Sequence, residues 1–107
     1  MRTKITTEAS YAFKNRETYK NSNTKVWESM KGVFMSLHDN RIAHRVGNVI
    51  RLDNCGWDTQ TTKERLNGIL EVYFGKRYKI FKKNGIWFLK DEETIKQWSN
   101  GMKFTIN

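Results

Sequence analysis

Val33-Phe34-Met35-Ser36-Leu37-His38-Asp39-Asn40-Arg41-Ile42-Ala43-His44-Arg45-Val46 alternates apolar and polar side chains on both sides of a polar pair. That is the pattern of an antiparallel hairpin with one buried face. Asp39 and Asn40 both tolerate positive φ and suit a two-residue turn. In that register Leu37 faces Ile42, Ser36 faces Ala43 and Met35 faces His44. One face then carries Val33, Met35, Leu37, Ile42 and Val46, a core. The other carries Phe34, His38, Arg41 and Arg45, a basic and partly aromatic surface. Gly47-Asn48 allows a second tight turn into Val49-Ile50-Arg51-Leu52, but strict pairing there puts Ile50 and Leu52 on the basic face. A bulge or a covering element is therefore required.

Upstream, Met1 to Thr6 reads as a short, flexible basic arm. Thr7 is a candidate N-cap for a helix that places Ala9, Ala12 and Phe13 on one face and fades by Lys20. Asn21-Ser22-Asn23 reads as a loop. Downstream, Asp53 to Gln60 is a connection, and Thr61-Thr62-Lys63-Glu64 matches a capping box with Glu64 reaching back to Thr61. The helix that follows places Leu66, Ile69, Leu70 and Tyr73 on one stripe and ends near Gly75. Asn84-Gly85 between two apolar runs predicts a type I′ hairpin in which Phe81 faces Phe88 and Lys82 faces Trp87. Asp91 to Ser99 allows a short acidic helix, and Met102 to Ile106 a final strand. The sum is one small α+β domain over residues 1–107, antiparallel hairpins packed against one or two helices.

Composition narrows the function. The 107 residues hold 20 Lys and Arg against 11 Asp and Glu, a formal charge of +9 that attracts phosphates. Aromatic residues make up 13 %, enough to build a core and against a disordered chain. One cysteine and two histidines exclude an internal disulfide and a zinc site, and no metal or cofactor is implied. No apolar run is long enough for a membrane span. Three basic segments stand out: Arg41, Arg45 and Arg51; Lys63 and Arg65 at a helix start; and Lys82 and Lys83 beside Trp87. Cations interleaved with aromatic rings suit single-stranded or structured nucleic acid, whose bases stack while cations hold the backbone. Trp87 can equally be a core residue, Trp27 and Trp57 read as core or loop packing, and Cys55 as a small buried hydrophobe. His38 and His44 could serve a metal-independent ribonuclease, yet the hairpin register puts His38 on the basic face and His44 on the apolar one.

Three stretches, Ser22-Asn23-Thr24-Lys25-Val26, Leu37-His38-Asp39-Asn40-Arg41-Ile42-Ala43 and Gly56-Trp57-Asp58-Thr59-Gln60-Thr61-Thr62-Lys63-Glu64-Arg65-Leu66-Asn67, carry a family resemblance. They resemble S-N-T-x-V, L-H-x-N-x-I-A and G-W-x-[ST]-x-T-T-K-x-R-L-N segments of small accessory proteins from tailed bacteriophages and related mobile elements. The chain departs from them by Asp39 where glycine is usual and by the acidic Asp91-Glu92-Glu93. The resemblance implies an accessory protein in the cytoplasm of an infected bacterium and carries over no catalytic residue. The leading expectation is a non-enzymatic protein, monomer or homodimer, that binds DNA or RNA through the basic face and touches no membrane. The alternatives are an inhibitor of a host enzyme or defence complex, and a ribonuclease using His38.

Overall fold

The computed structural model describes residues 2–106. Helix α1 (Lys4–Asn15) opens where the Thr3 hydroxyl accepts the Thr6 N–H at 3.2 Å and closes on Arg16 in the left-handed region. The expected arm is thus, from Arg2 to Thr6, the cap and first turn of a helix, and Thr3 takes the capping role expected of Thr7. The stabilising partners come from far along the chain. The Glu64 carboxylate accepts from the Thr3 N–H at 3.1 Å and from the Arg2 guanidinium at 2.7 Å, and Glu71 takes a second Arg2 nitrogen at 3.2 Å.

Five strands follow in meander order: β1 (Tyr19–Asn21), β2 (Thr24–Ser29), β3 (Gly32–Leu37), β4 (Asn40–Val46) and β5 (Val49–Leu52). Each pairs antiparallel with the next, and β9 (Met102–Thr105) closes a six-stranded sheet against β5. The turn between β3 and β4 is His38-Asp39, both at positive φ (51° and 65°), one residue earlier than expected. Phe34 therefore faces His44, Met35 faces Ala43 and Ser36 faces Arg41, which leaves Ile42 as an extra residue on β4. This bulge is the device the apolar pattern demanded. It lets Ile42 and Ala43 both be buried and turns Ile50 and Leu52 inward, each 0 % exposed. It also reverses three placements: His44 lies on the basic face, Arg45 on the buried side, and Val46 is 57 % exposed rather than core.

Helix α2 (Gln60–Phe74) is capped two residues before the expected Thr61, with the Thr59 hydroxyl accepting the Thr62 N–H at 3.2 Å. Glu64 is a capping partner all the same, for α1 instead of α2. The stripe of Leu66, Ile69 and Leu70 is fully buried, and α2 stops at Gly75. The two helices cover one face of the large sheet, α1 on β2 and β3 and α2 on β4. They cross closely at Gly68, where any side chain would run into Thr6 and Ser10.

A second sheet of β6 (Lys79–Lys83), β7 (Ile86–Lys90) and β8 (Ile95–Gln97) packs against α2 through β6. Its first hairpin turns on Asn84-Gly85 with Phe81 opposite Phe88 and Lys82 opposite Trp87, as the sequence predicts. Asn67 ties α2 to this sheet, its buried amide exchanging two 2.8 Å hydrogen bonds with the Ile80 backbone. The acidic segment is not a helix. The Asp91 carboxylate accepts the Glu93 and Thr94 N–H groups, each at 2.8 Å, and that turn leads into β8.

Candidate nucleic-acid interface

The helices cover one face of the six-stranded sheet, and strand alternation fixes what the opposite face carries. Across β1 to β9 the outward positions include Lys20, Lys25, Trp27, Phe34, Arg41, His44, Arg51 and Lys103, with cross-strand pairs Lys20–Lys25, Trp27–Phe34, Phe34–His44, His44–Arg51 and Arg51–Lys103. No carboxylate occupies an outward strand position between them; Asp39 and Asp53 sit at the ends of strands.

Three rings stand in a row at the centre. Trp27 and Phe34 are stacked at 5.3 Å and 16°, and Phe34 and His44 at 4.2 Å and 8°. The Arg41 guanidinium lies 4.8 Å from the Phe34 ring centre and 5.7 Å from that of Trp27. A cation over aromatic faces stays charged and only partly hydrated, ready to meet a phosphate or a base. His44 is fixed in place because its Nε2–H donates to the Lys31 carbonyl at 2.7 Å. Gly32, at φ 119°, lets that approach happen, since a Cβ there would strike the Arg45 carbonyl and come 3.1 Å from His44 Nε2. Lys31, Arg41, His44 and Arg51 border a shallow concavity of about 230 Å³.

Of the residues the sequence singles out, Arg41 and Arg51 meet on this face and the others do not. Arg45 turns to α2, donating to the Tyr73 hydroxyl at 2.8 Å and lying 5.4 Å from that ring centre. Arg65 is only 5 % exposed, with its guanidinium bonded to the Thr6 and Thr24 hydroxyls; burial lowers its pKa and removes it from any surface. Trp87, 5 % exposed, packs against Trp98 in the core and offers no stacking face. Lys63 is half-buried on α2, Lys82 pairs with Asp58 at 3.3 Å, and Lys83 is exposed at the tip of the second hairpin. His38 stands in the turn, exposed, away from the ring stack that holds His44. Cys55 and Trp57, expected to be buried or packed, are both exposed. Lys25 and Lys103 stand on this face although sequence reading does not single them out, and Trp27, expected to pack in a core or loop, stands there too. Period-two alternation through Thr24-Lys25-Val26-Trp27 was the available signal for Lys25 and Trp27.

Among the described residues, no three His, Cys, Asp or Glu side chains gather as metal ligands, and no helix is long and apolar enough to cross a membrane. A family model described as Kyanoviridae Gp96 protein matches residues 1–105. No curated protein and no solved structure matches the chain.

Proposed function

Because the chain belongs to the Kyanoviridae Gp96 protein family, a family of bacteriophage proteins, we propose that it is a phage accessory protein that binds nucleic acid within the infected cell. The observation that carries the reading is the Arg41-capped row of Trp27, Phe34 and His44 set among Lys25, Arg51 and Lys103. Phe34, 6 % exposed, is covered by Trp27, His44 and Arg41, so the rings left for bases to meet are Trp27 and His44, with cations beside them for the phosphates. In this reading the protein binds and performs no catalytic step. His44 is held by its stack and its carbonyl partner, and His38 stands apart from it in the turn.

The test is fluorescence anisotropy with a labelled single strand of DNA, one of RNA and a duplex, each at low and physiological salt. Micromolar or tighter binding is expected, weakened about tenfold by Arg41→Ala or Arg51→Ala with unchanged melting temperature. Binding that ignores both substitutions would exclude this face.

A host-protein target is the second reading, favoured by Met30, fully exposed at the β2–β3 tip beside Lys31. Pull-down from nuclease-treated bacterial lysate separates the two. A stoichiometric protein partner lost on Met30→Ser would support it, and its absence would leave nucleic acid alone.

A further inference from the structure

Beside the open face lies a second and more enclosed cavity of about 160 Å³ that the ring stack does not use. It is lined by Leu37, His38 and Ile42 from the β3–β4 hairpin and by Asn54, Trp57, Thr61 and Thr62 from the segment leading into α2. Two of the sequence stretches singled out above thus line a single cavity: the L-H-x-N-x-I-A hairpin turn and the G-W-x-[ST]-x-T-T segment that leads into α2. Trp57 is 53 % exposed, a large apolar ring left in water. The two concavities adjoin. Ile42 lines both, and the consecutive residues Asp53 and Asn54 line one each. Cys55 holds this junction together by donating its thiol to the Arg41 carbonyl at 3.1 Å.

Resting on the reading of the open face, we infer that this cavity takes one unstacked base of a single strand that crosses the sheet past Arg41. Its walls have the chemistry such a base requires. The buried Leu37 and Ile42 side chains give an apolar floor, and Trp57 gives a flat ring to stack on. The imidazole of His38, the amide of Asn54 and the threonine hydroxyls supply donors and acceptors for the polar edge of a heterocycle. A base paired in a duplex cannot enter, so the cavity makes the protein selective for single strands.

The experiment compares a short labelled single strand with the duplex of the same sequence, using wild type, Trp57→Ala, Trp57→Phe, Thr61→Trp and Arg41→Ala. Trp57→Ala should weaken single-strand binding about tenfold and leave duplex binding unchanged, with Trp57→Phe retaining most of the affinity. Thr61→Trp fills the cavity from an exposed position in the first turn of α2 and should have the same effect, which guards against a Trp57 variant that misfolds. If Trp57→Ala and Thr61→Trp bind single strands as wild type does while Arg41→Ala binds weakly, the base-binding role is overturned and the open face stands. If the wild type binds no strand at low salt, the open face is overturned and the cavity's role falls with it.

Discussion

Two arginines show how differently the same side chain can serve. Arg41 is exposed over a ring stack, whereas Arg65 is sealed between α1, α2 and β2 with two threonine hydroxyls as its partners. In sequence both were basic residues beside aromatic or polar neighbours, and nothing local separates them. What separates them is that Thr6 and Thr24 lie 59 and 41 positions away from Arg65. Arg65→Ala strips a buried cation from two buried hydroxyls and should cost about 2–4 kcal/mol. Urea denaturation will show that loss, while the remaining folded protein binds strands as the wild type does. Arg41→Ala should show the converse, lost binding at unchanged stability.

At the level of elements, hairpin existence and strand type were legible and exact register was not. Alternation from Val33 to Val46 specified two strands, and the conflict over Ile50 and Leu52 specified that a bulge had to lie somewhere. Its position at Ile42 follows from a turn one residue earlier than Asp39-Asn40 suggests, and that choice is tertiary: it buries Ile42, Ala43, Ile50 and Leu52 together. The cost falls on Asp39, held at φ 65° in the left-handed region that favours glycine. Asp39→Gly should therefore raise stability by about 0.5–1 kcal/mol, read as a higher melting temperature. The exposed Lys25–Asp39 pair that it removes is worth little. Of the basic face, alternation in the sequence gives Arg41 its side but not its neighbours, and it puts His44 on the opposite side because alternation alone does not show where the bulge at Ile42 reverses it. The helix starts were misplaced for a related reason. Both carry several threonines, and the true caps depend on partners such as Glu64 that are remote in sequence. Burial alone would raise the pKa of Glu64, but the hydroxyl and N–H donors of the α1 cap and the Arg2 guanidinium outweigh it and hold the carboxylate below the usual range. A folded-state pKa below the unfolded one means that the stabilisation is complete above the ordinary glutamate value of about 4.3 and is lost as pH falls through the folded pKa. Thermal melts across the acid range should show this loss, and Glu64→Gln should be less stable at neutral pH with a shallower acid dependence.

For the whole molecule, the charge of +9 is unevenly distributed in its consequences. Arg65 is buried, Arg2, Arg16, Lys25 and Lys82 are paired with carboxylates, and Arg45 is committed to Tyr73. The other cations of the open sheet face are left to meet a strand. If Lys20, Arg41, Arg51 and Lys103 each neutralise a phosphate, the logarithm of single-strand affinity should fall with the logarithm of salt with a slope of about −3. Anisotropy titrations over a range of salt measure that slope. A value near −1 would mean that most of these cations do not touch the backbone. The pairing of β5 with β9 has another kind of consequence, for the life of the chain on the ribosome. Ile50 and Leu52 sit opposite Phe104 and Met102, so the sheet stays unfinished until synthesis has passed Thr105. A message cut short before Met102 yields a product with an unsatisfied apolar strand edge, the kind of surface that proteases and chaperones recognise.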